Sequence, residues 1–438
     1  MSRAGSGLSD ELDAHARSVG EQVIAWRHHV HRFPELSNRE TRTAELIADH
    51  LRELSLDDVR TGIGGHGVVG VLHGRGAAAE RSGQRVIALR ADIDALPIRE
   101  ESGEPFASTV VDETYPGGPF PVAHACGHDC HVAMLMGAAS VLSAVRDRLS
   151  GIVLFVFQPA EEGPPLDEDG GAVAMERAGA LADPEPTMVF GMHVGPMPVG
   201  WVGYGVGNFY AASAVMKIVI TGAGAHASTP WRGADPLPVA ADVVLQLAQV
   251  YRQLPASTPV TVSVGQVTTH GRHNVIGDSV ELLGTVRCSA DSDMGKLQQR
   301  VKRIAEHLAL AHGCAAQTTF HQPVPAVHNA SAWVDAALPT IEDVVGEGCL
   351  IEVPATLGYD DVSVFINRYG GLYVMLGCQE VVIVNGALRP IPGGRGVAVN
   401  HSPRFYAADE ALGFGVRLHA RIAADHLSGA LVPGAGSE

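Results

Sequence analysis

The sequence predicts an α/β protein interrupted by a smaller α+β domain, and three observations carry that prediction. The chain has 438 residues, more than one ordinary hydrophobic core organises, so two domains are expected. Gly151-Ile-Val-Leu-Phe-Val-Phe157 is a continuous apolar run of strand length, the mark of a sheet covered on both faces. Between Ala214 and His321 the pattern becomes strand, helix, two strands, helix, strand. That βαββαβ order belongs to a ferredoxin-like split βαβ unit. The expected division is a larger domain in two parts, residues 1–207 and 322–438, with residues 208–321 inserted between them.

Residues 9–33 carry Leu12, Ala16, Val19, Val23 and Trp26 at helical spacing, and Pro34 ends that helix. Ser37-Asn-Arg-Glu40 has the form of a capping box and predicts a second helix through about Leu54. After a Gly-rich loop, Val68–Leu72 and Arg85–Asp92 read as strands. The second delivers Asp92-Ile-Asp94, two acids on one face of an extended segment. Residues 98–123 are loop-like. His124-Ala-Cys-Gly-His-Asp-Cys-His131 then opens a helix running to about Arg148. The apolar run 151–157 follows and ends in Gln158-Pro-Ala-Glu161-Glu162-Gly163, and a helix near 172–180 leads to the strand Thr187–His193.

The inserted domain is read as strand 214–220, helix 236–254, strands 260–267 and 279–287, helix 293–312 and strand 316–321. Thereafter Leu372–Leu376 is a buried strand, Gly386–Asn400 a Gly- and Pro-rich loop, and Tyr406–Ser428 the last helix. No internal repeat is present.

Composition narrows the function. Hydrophobic residues are 46% and charged ones 18%, an ordinary globular balance. A formal net charge of −17 argues against a nucleic-acid or anionic-membrane partner, which would call for a basic face. Six cysteines without framework spacing read as free thiols of a reducing compartment. No signal-type apolar core follows the N-terminus, and no run reaches a membrane span of roughly 18 apolar residues. A cytoplasmic enzyme is expected.

Three histidines, two cysteines and an aspartate within residues 124–131 are an unusual concentration of the donors that zinc-like ions prefer. Successive strand or loop ends then carry Cys/His, Glu/Glu and His, where open α/β sheets gather their active groups. Taken alone, Cys126 would be a buried thiol, and His193 and His401 would be structural histidines. The repetition over residues 124–131, Glu161, Glu162 and His193 points instead to a metal site.

HACGHDCH, with RADIDALPIRE before it and FQPAEEG, GMHV, GAGAHASTP and a late HSP after it, resembles the amidohydrolase branch of the aminoacylase and carboxypeptidase G superfamily. The match runs in order from His31-Arg-Phe-Pro-Glu35 to His401. The resemblance implies a zinc-peptidase-like catalytic domain and an inserted lid domain through which the chain forms a homodimer. It implies two divalent ions per subunit, zinc foremost and manganese, cobalt or nickel as alternatives, held by Cys126, His128, Glu162, His193 and His401. Five ligands suffice for two ions when one is shared and water completes the site.

The implied general base is Glu161, which takes a proton from water and returns it to the leaving amine. Asp94 and Asp129 resemble carboxylates that orient ligands. From the lid, His226 would donate to the carbonyl oxygen and Asn274 would contact substrate. Arg272 and Arg287 could hold a substrate carboxylate or form surface pairs, and the residues alone leave that open. The implied substrate is an N-acyl amino acid or related amide; the alternative is a peptide cleaved by a dipeptidase or carboxypeptidase with the same centre. A thiol nucleophile at Cys126 with a histidine base is a different chemistry to be separated by chelation. Three departures from the family pattern stand out: Cys130 for a glycine, Ile276-Gly277 for Ile-Pro, and Gly358-Tyr-Asp360-Asp361-Val for Gly-x-Glu-Asp-Phe.

Overall fold

In the computed structural model, which describes residues 6–76 and 84–434, the chain forms two compact units. The first takes the chain up to Gly207, Asn329–Val353 and Val364 onward. Its sheet contains β1 (Asp58–Ile63), β2 (Gly67–His73), β3 (Val86–Asp92), β4 (Ile152–Gln158), β5 (Met188–Pro198), β6 (Val202–Tyr204), β7 (Leu350–Glu352) and β8 (Gly371–Gln379). The spatial order is β1-β2-β4-β3-β5-β8-β6-β7. The four central strands β4, β3, β5 and β8 are parallel, and β1, β2 and β6 join antiparallel.

The apolar run in β4 is buried throughout, as a strand covered on both faces must be. Each such large side chain contributes about 1.5–3 kcal/mol on leaving water.

Helices α1 (Ser6–Ser18), α2 (Gly20–Arg32), α3 (Thr41–Glu53) and α4 (His128–Ala144) precede or flank these strands. The single helix expected over 9–33 is therefore two. The break falls at Val19, whose ψ of −2° departs from helical geometry beside Gly20, a residue with little helix preference. Nearly every residue of α4 is buried, which its all-round apolar sequence requires. The helix stops at Ala144, short of Arg148, and a 3-10 turn covers Arg146–Arg148.

Three further expectations are corrected. The capping box at Ser37 and Glu40 does not form. Glu35 caps α3 instead, its carboxylate accepting from the Arg42 and Thr43 amides at 3.2 and 2.9 Å. Secondly, β5 does not end at His193 but runs to Pro198, because β8 pairs with it as far as Gln379. Thirdly, Gly386–Asn400 is not wholly loop. Ala387–Pro390 pairs with Val381–Val384 across Asn385-Gly386, both at positive φ (51° and 75°), the Asn-Gly hairpin turn.

The second unit comprises Asn208–His328 and Pro354–Ser363. Strands Ala212–Thr221, Val260–Thr269, Ser279–Cys288 and Ala315–Val324 form a fully antiparallel sheet. The second, third, first and fourth of these lie side by side in that order. Helices Pro236–Leu247 and Asp291–Ala311 cover it, with Val239, Val243, Leu297 and Val301 packed on Met216, Ile218, Val280 and Leu282. The first helix ends at Leu247 rather than near 254, and Val250–Gln253 is a 3-10 turn. The unit extends beyond the 208–321 expected because Pro354–Ser363 joins it. Thr356 N donates to Phe209 O, Ala211 N donates to Gly358 O, and Arg287 stacks 5.0 Å from the Tyr359 ring while donating to Leu357 O. That stacking accounts for Arg287 within its own unit. Among the described residues no helix is long and apolar enough to cross a membrane.

Candidate metal centre

Four segments of the first unit bring donors together: Cys126–His128, Glu161–Glu162, His193 and His401. Gly127, at φ 93°, turns the chain from Cys126 into α4. A β-carbon there would lie 2.3 Å from Val194 Cγ2, so only glycine fits. The turn places Cys126 Sγ 3.3 Å from His193 Nε2. His193 can face this space because β3 stops pairing with β5 at Gly191. Its Nδ1–H donates to Val194 O at 2.7 Å, leaving Nε2 as the lone-pair nitrogen.

His128 donates from Nδ1 to Asp94 O at 2.9 Å, which likewise leaves Nε2 bare. That nitrogen is 3.6 Å from Asp92 Oδ2, 3.9 Å from Glu161 Oε2 and 3.8 Å from Glu162 Oε1. His401, at φ 66°, brings its Nε2 within 3.2 Å of Glu162 Oε1.

The five expected ligands thus fall into two overlapping sets. In one, Cys126, His128 and His193 have donor atoms within 4.8 Å of one another; in the other, Cys126, Glu162 and His401 do. Cys126 is common to both. Glu161 groups with His128 and Glu162.

The electrostatics call for a cation. His128 Nε2 is a buried atom without a hydrogen-bond partner, a costly condition for a polar group out of water. Burial works against charge on His128, yet Asp92, Asp94 and Glu162 raise its pKa to about 10. Surrounding carboxylates are drawing a positive charge into the site. Burial and the charges of Glu162, Glu161 and Asp92 push the Cys126 thiol well up, while burial and His131 push His193 well down. Both directions disfavour the thiolate–imidazolium pair of a cysteine nucleophile. A divalent ion reverses the thiol's preference. The donors fit such an ion.

Asp94, expected to orient ligands, is in place. Its Oδ2 accepts from Ser37 Oγ at 2.6 Å and from the Glu162 amide at 3.0 Å, and its Oδ1 lies 3.3 Å from His128 Nδ1. Asp129 is elsewhere. Its Oδ2 takes Arg27 Nε at 3.1 Å and His31 Nδ1 at 2.9 Å, with Glu100 on the far side of His31. Burial opposes charge on His31, yet Asp129 and Glu100 raise its pKa to about 9.

The carboxylate nearest the bare His128 Nε2 is Asp92, at 3.6 Å. Burial disfavours its charge, but His128, His131 and Arg90 hold its pKa well below the usual range. His131 is fully engaged, because its Nε2 accepts from Val194 N at 2.9 Å and its Nδ1 therefore donates to Asp92. It orients Asp92 rather than offering a donor to an ion. The Asp92-Ile-Asp94 alternation placed both acids on one face, but nothing local singled out Asp92. Asn400 carried no sequence signal either, though its Nδ2 ties the His401 segment to Cys126 O and Val194 O at 2.9 and 3.1 Å. Cys130 is buried and belongs to none of the donor groups.

His226 and Asn274 lie in the second unit. Ala225–His226 pairs with Val275–Ile276, and Ala227 N donates to Asn274 O at 3.2 Å, so the two residues share one exposed ribbon. His226 Nδ1 accepts from Ser228 N at 3.1 Å.

Comparison with known proteins gives a consistent result. The model of peptidase family M20/M25/M40 matches residues 88–425. An IAA-amino acid hydrolase ILR1-like 2 of Arabidopsis thaliana is 32% identical over 94% of this chain and 87% of its own length. An N-acyl-L-amino acid amidohydrolase of Geobacillus stearothermophilus is 35% identical over 71% of this chain and 79% of its own. The crystal structure of Bacillus subtilis YXEP, described as a dinuclear metal binding peptidase of the M20 family, superposes with a TM-score of 0.70 at 28% identity. It covers 94% of this chain and 99% of that one.

Proposed function

The chain belongs to peptidase family M20/M25/M40, in its amidohydrolase branch, and we propose that it hydrolyses N-acyl amino acids with two divalent ions and Glu161 as general base. It is a metal-dependent enzyme acting on amide bonds. The observation that carries the finer reading is the pair of donor sets sharing Cys126, with Glu161 at their border.

In this reading Cys126, His128 and His193 would hold one ion and Glu162 and His401 the other, with Cys126 shared between the two sets. The soft sulfur and imidazole donors favour zinc, with manganese, cobalt or nickel as substitutes. The ions supply Lewis acidity toward the scissile carbonyl and lower the pKa of a water. Glu161 accepts a proton from the attacking water and passes it to the leaving nitrogen, the two tasks of one carboxyl. Asp94 fixes the His128 tautomer and anchors the Glu162 amide. Arg90 and His131 hold the Asp92 carboxylate ionised beside the site.

The domain around residues 208–321 serves as lid and dimerisation domain. On it His226 would donate a hydrogen bond to the substrate carbonyl oxygen and Asn274 would contact substrate, one copy of the chain serving the other. Six unpaired cysteines agree with a cytoplasmic location.

The test is a panel of N-acyl amino acids and dipeptides assayed with chelated, zinc-, manganese- and cobalt-restored enzyme. Loss of N-acyl hydrolysis on chelation and recovery with metal supports the proposal. Turnover restricted to dipeptides would favour the peptidase alternative. Activity that survives chelation but not thiol alkylation would defeat the metal reading.

A further inference from the structure

We infer that Glu40 is a positioning residue for Glu161, holding the backbone on which the base is carried; this rests on the reading of Glu161 as the general base. Glu40 stands at the N-cap of α3, but its side chain makes no cap hydrogen bond. It is buried, and its Oε1 accepts from the Ala160 amide at 2.8 Å, 120 residues along the chain. Ala160 sits at φ 54°, a left-handed conformation that costs an L-residue about 1–2 kcal/mol and persists only where its surroundings impose it. On the other side of Glu161, the Glu162 amide donates to Asp94 Oδ2 at 3.0 Å, and Ser37 Oγ holds that carboxylate at 2.6 Å.

The two amides flanking Glu161 therefore both end on carboxylates from other segments. Both restraints trace to the same four residues, Ser37–Glu40, which read locally as a helix cap. Gly163 follows at φ 96°, so without these restraints the turn has freedom to swing. A displaced base is expected to slow proton transfer without weakening ion binding, because Glu162 keeps its own anchor in Asp94. Burial first, and then the charge of Asp94, raise the Glu40 pKa to about 8. A neutral acceptor at this position is therefore a fair mimic of the native side chain.

The experiment compares Glu40→Ala, Glu40→Met, Glu40→Gln, Glu40→Ala/Ala160→Gly and Glu161→Gln in the full-length, zinc-loaded protein. It measures bound metal, thermal midpoint, and kcat and KM on the N-acyl amino acid that turns over fastest. Glu40→Ala is expected to lower kcat on the order of 10- to 100-fold, with KM and bound metal within about twofold of wild type. Glutamine retains an acceptor for the Ala160 amide and should stay within about threefold of wild type. Adding Ala160→Gly should recover part of the loss, since glycine takes φ 54° without a β-carbon penalty.

Should Glu40→Ala not fold, Glu40→Met fills a similar volume without an acceptor and carries the same expectation. Wild-type kcat in Glu40→Met overturns the inference. So does a loss that follows KM or metal content, or a Gln variant as damaged as Met. An inactive Glu161→Gln beside a fully active Glu40→Met would sink this inference alone, whereas a fully active Glu161→Gln would sink the base assignment beneath it.

Discussion

Gly127→Ala probes whether the turn into α4 builds the centre. At φ 93° an alanine enters the left-handed region at a cost of about 1–2 kcal/mol. Its methyl would also sit 2.3 Å from Val194 Cγ2 and 3.2 Å from Phe405 Cε1, both in the core. Overpacking of this kind adds about 1–3 kcal/mol. Together the loss is about 2–5 kcal/mol.

Displacement of Val194 should also reach the donors, because its carbonyl accepts from His193 Nδ1 and Asn400 Nδ2 and its amide donates to His131. Urea unfolding of the metal-free protein reads the first effect, and bound metal per chain reads the second. The control is Gly295→Ala, inside helix Asp291–Ala311 with open space around it, which should be neutral or stabilising by up to about 1 kcal/mol. A Gly127→Ala protein with wild-type unfolding and full metal would refute the steric reasoning.

Three other outcomes are expected. Glu161→Gln should keep its metal and lose turnover about 10²- to 10⁴-fold, read by steady-state kinetics beside metal analysis. Cys126→Ala should lose bound metal from both positions, so near-normal stoichiometry by elemental analysis would contradict a shared ligand. The His31 pKa is raised in the folded state, so its contribution to stability is complete below about 6.5 and lost as pH rises through about 9. Unfolding of metal-free protein across that window should show the decline, and His31→Gln should flatten it.

The amino-acid sequence by itself determined what short-range chemistry can state. The run at 151–157 is apolar without alternation, so its burial on both faces and its place inside the sheet followed directly. The donors of residues 124–131, Glu161, Glu162 and His193 were legible because soft and imidazole donors recur at the ends of predicted strands and loops, whereas His401 followed only from the family resemblance. The βαββαβ pattern was legible for the same reason, since each strand and helix announces its own period.

What only the tertiary structure decided is which partner each polar group takes. Ser37 and Glu40 match a local cap, yet their oxygens go to Asp94 and Ala160, while Glu35 takes over the helix end. The family resemblance offered Asp129 and not Asp92, but packing gave Asp129 to Arg27 and His31 and turned Asp92 toward His128. The physical reason is that a helix or strand forms from interactions a few residues apart, which a sequence displays. A hydrogen bond across 57 or 120 residues forms only after the sheet has brought its strand ends together, and then the nearest well-aimed group wins it.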